Sequence, residues 1–125
     1  MPIIQMRYNL DLNDRPFKAI KAGTKKIEGR TPTSWDKTPY DKLQKGDIIH
    51  FVNNITNEEM DVEVFFVHHY PDTKSMLETE GVGNVLSGDL KTIEAGIESY
   101  NSFQGYKEDI KKNGIYAIGI KPLQG

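Results

Sequence analysis

The chain has no cysteine among its 125 residues, which excludes disulfide bonds, thiol nucleophiles and cysteine-ligated zinc. It contains no apolar run near the roughly 20 residues that a transmembrane helix needs, and its first residues do not match a signal peptide. It also has no excess of positive charge, because 16 lysines and arginines stand against 18 acidic residues. Long-range attraction to nucleic acid is therefore absent, and we expect a cytoplasmic protein with no membrane partner.

What is present is the composition of an ordinary globular domain, with 37% hydrophobic and 27% charged residues. A chain of this length can bury one core, so residues 1–125 are expected to form a single domain. No glycine-rich phosphate loop or metal-ligand spacing is present, so no cofactor is expected. The composition does not determine an oligomeric state.

Apolar alternation predicts five strands. They cover residues 3–8, 25–30, 48–52, 60–70 and 115–121. Within the fourth strand, Val62, Val64 and Phe66 are expected on one face because alternate residues share a side.

Capping residues and glycines predict helices after the first strand and between the last two. The residues that start and stop these helices bound the ranges 13–23, 72–81 and 92–114. The loop 31–43 contains two prolines and is expected to form one short helical turn carrying Trp35, the only tryptophan.

Residues 15–30 carry six cationic side chains against one carboxylate, Glu28. On an otherwise acidic chain this indicates either a local anion-binding patch or a solvated helix face. Along the strand, Glu28 and Arg30 share one side and Ile27 faces the other. With Ile27 in the core, we expect Glu28 and Arg30 to face a cleft or solvent, with Lys25 in the turn before them.

Lys25 is the candidate catalytic residue of this segment. A lysine crowded by Lys26 and Arg30 and partly desolvated has a lowered pKa, which makes it a base or a nucleophile. Glu28 could position it, polarise a water molecule or accept a hydrogen bond from a base edge. The adjacent His68 and His69 point to opposite faces of a strand, so no metal site is expected.

Residues 23–30 read GTKKIEGR and resemble the G-x-K-x-x-E-x-R signature of ASCH domains, the activating-signal-cointegrator homology group of the PUA-like superfamily. The resemblance continues through LQKGDIIHF at residues 43–51 and through the closing strand around residue 117, so it covers nearly the whole chain. It implies an α+β fold, a PUA-like small β-barrel of five to six strands flanked by helices. It also implies a cleft lined by the signature residues, with RNA or a modified nucleoside as ligand.

Two activities of the wider family are implied as alternatives to binding. One is ribonuclease activity, and the other is hydrolysis of the acetyl amide of acetylated cytidine by a lysine, a threonine and a glutamate. The lysine corresponds to Lys25, while the threonine position holds Glu28, which removes a candidate nucleophile but leaves a lysine–carboxylate pair able to activate water. The last glutamate corresponds to either Glu78 or Glu80.

The first functional hypothesis is a binding module. In it Lys25 and Arg30 hold phosphate, Glu28 contacts a base edge, and Trp35 or Tyr70 stacks on an unpaired base. Lys26 is a further ligand-binding candidate. A tryptophan in a loop can instead pin that loop to the core, so this alternative stays open for Trp35.

The second hypothesis is a small hydrolase that uses Lys25 with Glu28 or Glu80, with Arg30 stabilising the developing anion. The third is a protein-docking surface formed by the aromatic cluster Tyr100, Phe103 and Tyr106. Helical spacing favours the core for these aromatic residues, which ranks the docking surface last.

Overall fold

The computed structural model describes residues 4–123, where one five-stranded sheet curls into an open half-barrel flanked by five α-helices. The strands are β1 (Arg7–Leu12), β2 (Ile27–Arg30), β3 (Ile48–Asn53), β4 (Glu59–Tyr70) and β5 (Ile115–Pro122). The helices are α1 (Asp14–Ala22), α2 (Thr73–Glu80), α3 (Val82–Val85), α4 (Ile93–Asn101) and α5 (Tyr106–Asn113), with a 3-10 turn at Tyr40–Lys42. The predicted α+β class and the five strands are confirmed. Within residues 4–123, no helix is long and apolar enough to cross a membrane.

The strand order β1-β3-β4-β5-β2 puts the first two strands of the chain at opposite edges of the sheet. β1 pairs with β3 in parallel, and the other three pairings are antiparallel. Curling brings the two edges of the sheet back toward each other. Nη2 of Arg30 on β2 reaches across and donates to the backbone oxygen of Asp11 on β1 at 2.7 Å. The half-barrel therefore has an open seam between β1 and β2.

The two faces of the sheet bury two separate apolar clusters. Val62, Val64 and Ile118 lie in the cluster inside the half-barrel, while Phe66 packs with the helices on the outer side. The prediction that Phe66 shares a face with Val62 and Val64 is wrong because β4 has a register shift between Val64 and Phe66. Such a bulge adds one residue and reverses the alternation beyond it.

β1 lies further along the chain than the strand predicted at residues 3–8. Ile4 and Met6 are exposed, whereas Leu10 and Leu12 are buried inside the half-barrel. The start of the strand follows from its parallel pairing with β3, which begins with Arg7 opposite Ile48. Local alternation in the sequence does not encode that register. Residue 3 lies outside the described residues.

The capping signals locate most helix ends correctly. Asn13 is the N-cap residue of α1, although its side chain does not make the predicted capping hydrogen bond, and this helix ends at Gly23. The side chains of Asp72 and Thr92 accept hydrogen bonds from the first turns of α2 and α4. The predicted helix from 92 to 114 is instead two helices. They separate at Gly105, whose φ of 80° is a left-handed conformation that glycine adopts without strain.

The helical turn predicted around Trp35 forms later in the loop, at Tyr40–Lys42. Tyr40 is fully buried there and its hydroxyl donates to Asp36 at 2.5 Å. Burial of this tyrosine positions the turn, and Trp35 is left in a bend of the chain.

A polar network on the outer face of the sheet ties three strands together. His50 on β3 contacts Asp61 through Nδ1 at 2.6 Å and Glu59 through Nε2 at 2.7 Å, and Arg7 on β1 donates two bonds to Asp61. The hydrogen bond to Asp61 has the largest effect on the pKa of His50, followed by the hydrogen bond to Glu59, and both raise it. The pKa is raised even though Nη2 of the cationic Arg7 lies 3.3 Å from Nδ1 of His50. The His50 hydrogen bond lowers the pKa of Asp61.

We expect this network to make stability depend on pH. Because the folded-state pKa of His50 is raised, its contribution is complete below the unfolded value of about 6.5 and is lost as pH rises through the folded value. The Asp61 contribution is lost only at acid pH, below about 4. The thermal midpoint of the wild type should exceed that of His50→Gln most at about pH 5.5 and least at about pH 8.5. A difference that stays constant across this range would contradict the prediction.

Candidate functional site

A cavity of about 780 Å³ lies at the seam between β1 and β2. β1 contributes one wall, β2 contributes the floor, and the loop after β2 and the helices α4 and α5 contribute the remaining sides. The lining residues that carry charge or an aromatic ring are Asp11, Arg15, Lys25, Glu28, Arg30, Trp35, Asp36, Tyr100, Phe103 and Tyr106.

Three residues of the 23–30 segment meet on the floor of the cavity. Nε of Arg30 donates to Oε2 of Glu28 at 2.7 Å, and Nζ of Lys25 lies 3.4 Å from Oε1 of the same carboxylate. Ile27 packs in the outer cluster, so the predicted separation of Ile27 from Glu28 and Arg30 is confirmed. The expectation of an open face is corrected, because Glu28 and Arg30 are only 6% and 8% exposed. Their side of β2 faces the inside of the curled sheet, where β1 and the loop cover it.

Lys25 lies in the turn before β2, as its position in the sequence predicted. Besides Glu28, its ammonium group donates to the backbone oxygens of Ile27 at 2.8 Å and of Val85. Burial lowers the pKa of Lys25, and the Glu28 carboxylate opposes that shift. Three acceptors for three N–H groups connect the floor to α3 and hold the side chain in one orientation.

Arg30 occupies the centre of the charge network. Burial is the largest single effect and lowers its pKa, but the Glu28 carboxylate together with Tyr40 and Tyr106 outweighs burial, so the pKa of Arg30 is raised and the group stays charged. Its Nη1 lies 3.9 Å from Oδ2 of Asp36, and that oxygen also accepts the hydroxyl of Tyr40. A buried guanidinium with several acceptors is compensated, whereas one without them would destabilise the fold.

Aromatic side chains form the wall beside this floor. Trp35 is 55% exposed, and its ring is nearly parallel to that of Tyr106 with centroids 6.3 Å apart. Nε1 of Trp35 donates to the backbone oxygen of Gln104 at 3.2 Å, which joins the loop to the turn between α4 and α5. Phe103, in that same turn, is 39% exposed.

Three predicted site residues lie away from this cavity. Lys26 is exposed, and its backbone N–H donates to Asn84. The hydroxyl of Tyr70 donates to the carboxylate of Glu80, which also contacts Nδ1 of His68 at 2.6 Å. The end of α2 directs Glu80 onto β4, so the prediction that Glu80 joins Lys25 in the cleft is wrong. The alternative residue, Glu78, is exposed on α2.

Four of the six cations of residues 15–30 are paired with carboxylates. Lys18 pairs with Asp14, Lys21 pairs with Glu58, and Lys25 and Arg30 share Glu28. The charged residues that line the cavity are also balanced in sign. They are Arg15, Lys25 and Arg30 against Asp11, Glu28 and Asp36. Folding therefore neutralises most of the charge that residues 15–30 concentrate in the linear sequence.

Sequence reasoning missed Asp36, Tyr100 and Tyr106 as parts of the site. The two tyrosines are buried at helix positions that the pattern assigned to the core, which leaves only Phe103 of the predicted docking cluster exposed. The feature that could have identified the two tyrosines as site residues is the hydroxyl group, because a tyrosine at a core position needs a polar partner. Across residues 4–123, no three His, Asp or Glu side chains are grouped to hold a metal ion.

Comparison with known proteins gives a consistent family assignment. The model of the ASCH domain family matches residues 10–124. The crystal structure of hypothetical protein PH0355 is 37% identical, with a TM-score of 0.79, and the match covers 94% of this chain and 100% of that one. The solution NMR structure of protein PF0455 from Pyrococcus furiosus is 34% identical, with a TM-score of 0.72, covering 96% of this chain and 100% of that one. No curated protein matches the chain.

Replacing Glu28 with glutamine should destabilise the fold strongly. The substitution keeps the shape but leaves Lys25 and Arg30 buried without their shared carboxylate, which costs about 3–5 kcal/mol. Urea denaturation measures the loss. The matched control is Glu58→Gln, which breaks an exposed pair with Lys21 and should cost less than about 1 kcal/mol. Equal losses in the two variants would show that the buried network is not structurally important.

Proposed function

The chain belongs to the ASCH domain family, and from this premise and the geometry of its cavity we propose that it binds an unpaired nucleobase, presented by a modified nucleoside or by single-stranded RNA. One observation carries the proposal: a single cavity combines exposed aromatic rings with a buried, hydrogen-bonding floor. Its volume of about 780 Å³ falls within the range of small-molecule sites.

The aromatic wall supports recognition of a flat ring. Trp35 and Phe103 both line the cavity and both keep substantial exposed surface. Stacking of a base on an aromatic side chain contributes about 1–3 kcal/mol and tolerates many base identities. Because Trp35 is held through Gln104 and Tyr106, little order has to be gained when a base stacks on it.

The balanced charge of the lining supports the base and sugar as the recognised part. Lys25 and Arg30 already contact Glu28 and backbone oxygens, so they offer few free donors to a phosphate. The carboxylates and amide side chains of the lining can instead pair with the donor and acceptor edge of a base. Of the cations that line the cavity, Arg15 is the one that we assign to a phosphate contact. This contact would form only with RNA, because a nucleoside carries no phosphate.

Binding should be detected by the fluorescence of Trp35, the only tryptophan in the chain. Titration with cytidine, acetylated cytidine and a short single-stranded RNA should give a saturable change for at least one of them. Nucleoside affinity should hardly depend on salt, because no phosphate is neutralised. RNA affinity should fall as the salt concentration rises, with the slope expected when one phosphate is neutralised. Arg15→Ala should remove this salt dependence. The absence of any signal at low ionic strength, by fluorescence and by calorimetry, would refute the proposal.

Trp35→Leu should weaken nucleoside binding by about tenfold or more when measured by calorimetry, because it removes the stacking surface. The matched control is Leu123→Ala, an exposed residue that does not line the cavity, and its affinity should equal that of the wild type. A Trp35→Leu variant that binds as tightly as the control would exclude Trp35 from the ligand contact.

A small hydrolase that uses Lys25 with Glu28 is the second candidate, favoured by the lowered pKa of a buried lysine beside a carboxylate. Against it, the carbonyls of Ile27 and Val85 accept from the ammonium group and favour its charged form. We therefore expect no release of acetate from acetylated cytidine and no cleavage of labelled RNA. Turnover by the wild type that is lost in both Lys25→Met and Lys25→Arg would establish the hydrolase instead.

A further inference from the structure

We infer that the free edge of β1 recognises the nucleobase, through the backbone oxygen of Asn9 and the backbone N–H of Asp11. The inference rests on the proposed function, because it names the groups of the same cavity that hydrogen-bond the base. It also narrows the ligand to a base that carries a hydrogen-bond donor directly beside an acceptor on one unsubstituted edge. Stacking on aromatic rings does not impose that requirement.

The backbone groups of β1 alternate between its partner strand and the open seam. At the start of the pairing, Ile48 N–H donates to the oxygen of Met6 at 2.9 Å. At its end, Asn54 N–H donates to the oxygen of Leu12 at 2.8 Å. In a sheet, every second residue of a strand directs both of its backbone groups to the same neighbour. The even-numbered residues of β1 therefore bond to β3.

The odd-numbered residues of β1 consequently direct their backbone groups to the seam. Asp11 shows this directly, because its oxygen accepts from Nη2 of Arg30 on β2 at 2.7 Å. Within residues 4–123, no hydrogen bond uses the N–H of Asp11 or either backbone group of Asn9. Both residues line the cavity. An acceptor and a donor therefore lie next to each other on the cavity wall, open to a ligand.

This pair of backbone groups is complementary to the Watson–Crick edge of a nucleobase. On that edge, each of the common bases carries an N–H or amino donor beside a carbonyl or ring-nitrogen acceptor. The donor can bond to the oxygen of Asn9 while the acceptor receives the N–H of Asp11. The Watson–Crick edge lies farthest from the sugar, so it can enter the cavity while the sugar and any RNA chain stay outside.

The free part of this edge suits one flat ring better than an added peptide strand. The Arg30 side chain crosses the seam at Asp11 and occupies the last outward oxygen of β1. A peptide that extended the sheet would need this oxygen and the space that the guanidinium fills. The Asn9 oxygen and the Asp11 N–H lie just before this crossing and remain accessible to a small ligand.

The edge of β1 is held in place before a ligand arrives. At the start of the strand, Arg7 donates two hydrogen bonds to Asp61 on β4. Beyond its end, Nδ2 of Asn54 donates to Oδ1 of Asn13 at 2.7 Å. Neither contact uses a backbone group on the seam side of β1. A base therefore meets an acceptor and a donor at a fixed spacing, and little order has to be gained on binding.

Amide hydrogen exchange followed by NMR tests the open edge without any ligand. The amides of Tyr8, Leu10 and Leu12 should be protected by their bonds to β3. The amides of Asn9 and Asp11 should exchange about tenfold faster or more. If the Asp11 amide is as protected as its neighbours, its donor is already occupied and the inference is overturned.

Addition of a nucleoside to the wild type should then change the amide of Asp11. At saturation with whichever of uridine, cytidine or adenosine binds most tightly, its proton resonance should move downfield and its exchange should slow about tenfold. The amide of Leu10 bonds to β3 and is the internal control. A nucleoside that binds but leaves the Asp11 amide unchanged overturns this inference, while the proposed function stands. If no nucleoside or RNA binds, the proposed function fails and this inference fails with it.

Blocked bases test the same contact from the side of the ligand. Methylation of the ring N–H of uridine, or dimethylation of the amino group of cytidine or adenosine, removes the donor without adding charge. Each blocked nucleoside should bind about tenfold more weakly or worse than its parent, as measured by calorimetry. The control is methylation of a pyrimidine at ring carbon C5, away from the Watson–Crick edge, which should change affinity much less. Equal losses at the two positions, or no loss from blocking, overturn the inference.

Asp11→Pro removes the N–H donor from the protein itself. Proline is tolerated on an edge strand at a position whose N–H faces away from the ladder. The matched variant Asp11→Ala keeps the N–H and measures any contribution of the carboxylate. Asp11→Pro should weaken nucleoside binding about tenfold beyond Asp11→Ala, and equal affinities overturn the inference. If Asp11→Pro does not fold, amide exchange in the wild type and the blocked bases still decide the outcome.

Discussion

The buried Arg30 side chain is the interaction on which the open edge of this fold depends. Its Nε donates to Glu28 on the same strand, and its Nη2 donates across the seam to the backbone of Asp11 on β1. A curled sheet that does not close leaves two edges with unpaired backbone groups, which must find other partners. One guanidinium joins those edges, and its charge in turn requires the carboxylates of Glu28 and Asp36 to lie beside it.

Under the proposed function, this constraint limits the kind of ligand that the cavity can bind. Because the buried cations are neutralised within the protein, a ligand meets a rigid floor with little net charge and a wall of aromatic rings. Attraction over long distances then contributes little, and affinity depends on shape, stacking and hydrogen bonds.

Local signals predicted much of the fold. Five strands, the two ends of α1, the caps of α2 and α4, and the opposite orientation of Ile27 to Glu28 and Arg30 all follow from spacing and residue type. The errors arose where distant parts of the chain decide the outcome. The parallel register with β3 moved β1, and a bulge in β4 turned Phe66 to the other face. The apparent basic patch disappeared for the same reason, because Lys21 finds Glu58 and Arg30 finds Asp11 only after folding.

The candidate site also contains residues that a local motif identifies and residues that only the folded chain brings together. A strand edge holds its signature residues within eight positions, so a short motif can locate the floor of the cavity. The residues that complete it, Asp11, Asp36 and Tyr100, come from three other segments, and only the strand order brings them together. Glu80 is the opposite case. The family resemblance suggested it as a site residue, but α2 directs its carboxylate to Tyr70 and His68. A motif on one edge strand therefore identifies where chemistry can occur, while the facing edge and the helices that line the same cavity determine which chemistry is possible.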